Sequence, residues 1–229
     1  IIRQMEAALA GGASASPESL TPARLAGALV AMVVRALRGE MPREQVQAHL
    51  AQLAQDGQEP RIARITRIDA VVEPLHATSR LLKPEPRLPT DPMQPWLAAL
   101  HAALEGTADA AARLLAAADP LLAQGSPAER ADALAGVGNL ARGLEDHTTE
   151  LAARRQSVAA WREAGEDRET LTRLRGALYN QAACLINQQN DYAAAEPLLA
   201  EVVALDEQTG HPDLESDREA LAMVRRRVG

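Results

Sequence analysis

Phenylalanine is absent from this chain, and aromatic residues make up 2 % of it: Trp96, Trp161, Tyr179 and Tyr192. Sheets favour β-branched and aromatic side chains, so their scarcity argues against a β core. The hydrophobic share is nevertheless 47 %, dominated by alanine and leucine, which favour helices and let helix backbones approach closely. The expected fold class is all-α. A single cysteine, Cys184, excludes an internal disulfide and any CxxC metal site. No apolar run reaches 18 residues; the greasiest stretch, Ala28 to Val34, is bracketed by Arg24, Arg35 and Arg38. That length suits a buried helix and not a membrane span. Lysine is almost missing as well: 23 of the 24 basic residues are arginine, with Lys83 the exception, a composition expected of a GC-rich bacterial genome. The chain opens on Ile1-Ile2 with no signal-peptide pattern, so it reads as a piece of a larger cytoplasmic protein.

Charge is distributed unevenly. Residues 1–90 hold 11 Arg/Lys against 9 Asp/Glu, and residues 91–229 hold 13 against 22. An acidic second half argues against a nucleic-acid platform, which needs cations to displace counterions from phosphates. Solubility explains the excess, and a basic protein partner also fits it.

Proline and glycine divide the chain. Four prolines between Pro84 and Pro92 forbid helix and favour an extended connector over 84–92. Gly11-Gly12-Ala13-Ser14-Ala15-Ser16-Pro17 reads as a flexible loop, so 1–19 is expected to be partly disordered, with room for one short helix. Over 20–83 the pattern is helical. Thr21-Pro22 supplies an N-cap and a first-position proline, and Leu25, Leu29, Met32, Val33 and Leu37 follow at helical spacing until Gly39. Pro42 to Gly57 is a second helix; Pro60 begins a third, with Ile62, Ile65, Ile68, Val71, Val72 and Leu75. Whether these are degenerate repeats is left open. Over 93–229, Ser126-Pro127-Ala128-Glu129 has the pattern of a capping box. Gly125, Gly165 and Gly210 lie 40 and 45 residues apart, each after an Ala/Leu-rich segment. Repeats of that length built from helix pairs predict a solenoid, because one hairpin cannot bury its apolar face alone.

Catalytic and metal chemistry finds little support. The histidines His49, His76, His101, His147 and His211 are scattered. Glu73-Pro74-Leu75-His76 has the i, i+3 spacing of a di-iron helix but no second copy. Cys184 sits in a predicted helix without a neighbouring histidine and reads as a small hydrophobe. No Gly-rich phosphate loop, GxSxG or HExxH occurs. Arg225-Arg226-Arg227 complements the dipole of a helix C-terminus. No catalytic residue, metal or cofactor is assigned.

Residues 178–205 carry a resemblance. The stretch Leu178-Tyr179-Asn180-Gln181-Ala182-Ala183-Cys184, the Asn190-Asp191-Tyr192 turn and Ala195-Glu196-Pro197-Leu198-Leu199 resemble a tetratricopeptide repeat of the kinesin-light-chain-like variety. Its repeats are longer than the roughly 34-residue form. Small Ala183 and Ala195 would let the two helices approach, with Tyr192 filling the turn. A weaker copy runs from Val137-Gly138-Asn139-Leu140-Ala141 through Leu151 to Trp161, with Glu150 where a small residue is expected. A third, degraded copy spans Trp96 to Gly125, and Pro212 to Val228 would cap the stack. The resemblance implies a helix-hairpin superhelix whose first helices line a concave groove. The groove candidates are Asn139 and Arg142 in one repeat and Asn180, Asn187 and Gln188 in the next, with Cys184 between them. Asn grips peptide backbone with donor and acceptor, and Arg holds carboxylates bidentately. The expected role is binding a protein or peptide partner, a second copy included, without nucleic acid or membrane; peptide or small-molecule sensing and an enzyme with an unrecognised site are the alternatives.

Overall fold

The structure, a computed structural model, describes residues 21–58 and 92–229. The expectations for 1–19, for the third helix from Pro60, for Glu73 and His76, and for the connector up to Asp91 lie outside the described residues. Within them the chain is all helical: α1 (Pro22–Leu37), α2 (Arg43–Gln58), α3 (Met93–Leu104), α4 (Ala110–Ala116), α5 (Ala118–Leu122), α6 (Pro127–Gly143), α7 (His147–Glu163), α8 (Arg168–Cys184), a π turn (Leu185–Gln189), α9 (Tyr192–Thr209) and α10 (Leu214–Val228). Among the described residues there is no strand. No helix there is long and apolar enough to cross a membrane.

Helix starts follow local chemistry. The Thr21 hydroxyl accepts from the Arg24 N–H at 3.2 Å, and Ser126 and Glu129 form the reciprocal capping box. Asp146, Asp167 and Asp191 each accept N–H groups in the first turn of α7, α8 and α9. These bonds satisfy amides that a helix leaves without intrahelical partners. Helix ends share a second device. A left-handed residue closes α1 (Gly39), α3 (Gly106), α6 (Glu145), the π turn (Asn190) and α9 (Gly210). The next N–H then reaches back five or six residues: Glu40 to Arg35, Thr107 to Ala102, Asp146 to Ala141, Asp191 to Leu185, and His211 to Asp206. This C-terminal closure satisfies the last carbonyls and turns the chain back on itself.

The two hairpins α6–α7 and α8–α9 therefore superpose in sequence at a spacing of 45: Glu145 with Asn190, Asp146 with Asp191, and Gly165 with Gly210. Arg130 pairs with Glu163 in the first hairpin, and Arg175 pairs with Asp206 in the second. At that spacing Glu150 and Arg154 stand where the second hairpin has Ala195 and Leu199. Ala182, and not its neighbour Ala183, is the fully buried alanine opposite Ala195. Pro197 is the sixth residue of α9, so the missing N–H leaves the carbonyl of exposed Ala193 to solvent. Between Trp96 and Gly125 the second helical segment is split at Ala117. The Pro120 ring has no N–H to give the carbonyl four residues back, at Ala116, and crowds it.

The core does not divide at residues 84–92. One cluster unites Leu29, Val30, Val33 and Leu50 with Trp96, Leu100, Leu114, Val137 and Leu140. α1 packs on α2, α3, α5 and α6, which explains why it is buried on several faces. Its seat on α6 is close: a Cβ at Gly136 would lie 3.1 Å from Val30, tighter than ordinary contact, while one at Gly27 would just touch the Ala133 backbone at 3.4 Å. At Gly125 an added Cβ would collide with the Ala23 methyl. Two further clusters hold α7 to α8 and α9, and α8 to α9 and α10. Each fully buried leucine or valine contributes about 1.5–3 kcal/mol.

Candidate functional site

Asn139 and Arg142 lie one turn apart near the C-terminal end of α6 and are exposed. The following turn and the Asp146 cap bring the start of α7 back alongside them. There Glu150 and Arg154, one helical turn apart, are 2 % and 4 % exposed. Arg154 donates to Glu150 Oε1 from Nε at 3.0 Å and from Nη2 at 2.8 Å. Arg142 Nε donates to the same oxygen at 3.3 Å, and Arg154 Nη2 also reaches Asn139 Oδ1 at 3.3 Å. The four residues form one hydrogen-bonded cluster. Gly138 makes room for it, since a Cβ there would meet Arg154 Cγ at 3.3 Å. The ring of His147 stands 4.0 Å from Glu150 Oε2.

Burial explains why Glu150 is tolerated where a small residue was expected: a buried carboxylate survives when its charge is paired and hydrogen-bonded. Its spacing from Arg154, i to i+4 on one helix, is the sequence signal that could have revealed the pair.

From α8, Asn180 is exposed, as are Asn187 and Gln188 in the π turn. No hydrogen bond joins these three to the α6–α7 cluster among the described residues. Cys184, between them in sequence and read as a small hydrophobe, is buried in a cluster that includes Leu151 of the preceding hairpin and Leu185, Leu199 and Leu221. Burial pushes the Cys184 thiol above its ordinary range and the Glu150 charge adds to that, while Arg154, Arg142 and Arg155 oppose it. A thiol so placed is a poor nucleophile. At the α6–α7 cluster two guanidinium groups, Arg142 and Arg154, meet the one carboxylate of Glu150, a local cationic excess within a half of the chain that is acidic overall.

The other polar groups are occupied or apart. Arg225 donates to Glu196 at 2.9 Å, and Arg227 lies over the Tyr192 ring at 5.9 Å, so two of the three terminal arginines tie α10 to α9. Among the described residues no group of three His, Cys, Asp or Glu side chains could hold a metal ion. A surface groove of about 390 Å³ lies between α5, α6 and α7, lined by Asp119, Arg130, Gln156 and Glu163 among others. An apolar one of about 530 Å³, lined by Pro92, Pro95, Ala99 and Pro120 among others, lies between α3 and α4–α5. Neither includes Asn139, Arg142, Asn180, Asn187 or Gln188.

Compared with protein-family models, with curated proteins and with solved structures, the chain gives no match.

Proposed function

We propose that the chain is a helical-repeat recognition module, of tetratricopeptide type, that binds an extended acidic peptide or protein segment within a larger cytoplasmic protein. The observation that carries this reading is the cationic excess beside exposed amides. Arg142 and Arg154 both donate to one buried carboxylate, Glu150, so two guanidinium groups face a single negative charge. Asn139 and Arg142 lie beside it on α6; Asn180 and Asn187 flank Cys184 in sequence. The Arg142 side chain is 53 % exposed and makes its 3.3 Å contact through Nε, a contact that does not use its two terminal nitrogens. The 45-residue equivalence of the two hairpins supports the same reading, since stacked helix-pair repeats build extended binding surfaces. Cations there would speed encounter with an acidic segment and make binding salt-dependent.

The test is selection from a random peptide library on the intact chain, followed by affinity measurements on Arg142→Ala, Asn180→Ala and Asn187→Ala. Arg162→Ala, whose partner is Glu201 at 2.6 Å, serves as the off-groove control. Peptides rich in Asp and Glu are expected, weakened at least tenfold by Arg142→Ala and by added salt. Selected peptides that bind all three groove variants as well as the parent would move the site elsewhere.

A further inference from the structure

The attachment of the C-terminal helix contains a charge imbalance. Arg175 on α8 donates from Nε to Asp206 Oδ1 on α9 at 2.9 Å and from Nη2 to Asp217 Oδ2 on α10. Asp206 is 0 % exposed and Asp217 is 3 % exposed. One guanidinium therefore faces two buried carboxylates. The exposed Asp213 adds a third, 3.4 Å from the same Nη2. Asp206 Oδ2 is buried without any hydrogen-bond partner.

No other cation among the described residues corrects the balance. The His211 ring lies 3.6 Å from Asp206, but its Nδ1 accepts the backbone N–H of Asp213 at 3.2 Å. A ring nitrogen that accepts a hydrogen bond does not donate one at the same time. Arg218, next to Asp217 on α10, is exposed and is held by Glu207 of α9 and Glu215 of α10 at 2.7 and 2.6 Å. A buried carboxylate pair left with a single positive charge is relieved most directly by binding a proton.

We propose that Asp217 takes up one proton from solvent when α10 docks and shares it with the unpartnered oxygen of Asp206, so that attachment of the C-terminal helix is coupled to pH. Burial raises the Asp217 carboxyl above its ordinary 3.8, the neighbouring Asp206 raises it further, and Arg175 opposes both. A folded-state value above the unfolded one gives stability that is fully present below the unfolded value and is lost as pH rises through the folded one. Docking is thus tightest in acid. What the proton controls is the cover that Leu221 and Val224 of α10 place over Leu185, Ala195 and Leu199.

Amide hydrogen exchange of residues 214–228 in the intact chain, corrected for intrinsic rates, tests this between about pH 4 and pH 8. In the parent, protection of α10 is expected to fall as pH rises, by up to about tenfold per pH unit within the titration window, the limit for one linked proton. Asp217→Asn, close to isosteric and permanently neutral, is expected to keep α10 protected and to remove that slope. A parent whose α10 protection is flat or increases with pH overturns the proposal. So does an Asp217→Asn chain that keeps the parent slope, or one whose α10 is unprotected at every pH. A carbon-detected titration of the Asp217 carboxyl in the parent is an independent check: a midpoint above 3.8 is expected, and one at or below 3.8 also overturns the proposal.

Discussion

Glu150→Ala removes one partner of the buried pair at the α6–α7 junction while leaving the other in place. Arg154 would keep its position, 4 % exposed, with Asn139 Oδ1 as its remaining hydrogen-bond partner. Breaking a buried ion pair from one side costs about 3–5 kcal/mol, because the survivor is an uncompensated buried charge. The exposed Arg142 loses only a 3.3 Å contact, which adds little. For a chain of this size the loss corresponds to a fall of about 6–20 °C in Tm. The second hairpin supplies the control, since Ala195 and Leu199 occupy the equivalent positions. Glu150→Ala combined with Arg154→Leu copies that arrangement and removes both charges together. Its expected stability lies within about 1 kcal/mol of the parent, or above it, since apolar replacement of a buried pair is often neutral or stabilising. Urea unfolding followed by far-UV circular dichroism reads all three chains. Midpoints should shift with little change in slope, because the surface exposed on unfolding is nearly the same. A single variant losing less than about 1 kcal/mol would refute the reasoning, by showing that water reaches Arg154 easily. A double variant no better than the single would refute the equivalence of the two hairpins.

Two other substitutions probe the backbone. Gly125→Ala drives a methyl into Ala23 and should cost about 1–3 kcal/mol as α1 is pushed off α6; equal denaturation midpoints would show that the loop before α6 yields freely. Glu145 holds φ 58, a left-handed conformation that costs a non-glycine residue about 1–2 kcal/mol. Glu145→Gly should therefore stabilise the chain, by about 0.5–1 kcal/mol once the added freedom of the unfolded glycine is set against the relief; a lowered Tm would contradict this.

Much of the helical framework could be read locally. Thr21-Pro22, Ser126-Pro127-Ala128-Glu129 and the glycines at 39, 165 and 210 act within one turn of themselves, so their positions in the sequence locate helix ends. The apolar composition around Ala28 to Val34 pointed to a buried helix because its charged neighbours are too close for a membrane span. Within the candidate groove, Asn139, Arg142, Asn180, Asn187 and Gln188 were all placed on exposed faces. Cys184, read as a small hydrophobe, is buried, but its cluster mates Leu151 and Leu221 come from other helices, and helical periodicity within one segment carries no information about them.

Sequence alone thus determined that this chain is helical and where several of its helices begin and end. Those properties arise from hydrogen bonds and steric limits between residues a few positions apart. The seat of α1 on α6, the pairing of Glu150 with Arg142 as well as Arg154, and the meeting of Arg175 with Asp206 and Asp217 were decided by tertiary packing. Charges 31 and 42 residues apart interact strongly only after the helices between them have folded and excluded water, and that exclusion gives the buried pairs their energetic weight.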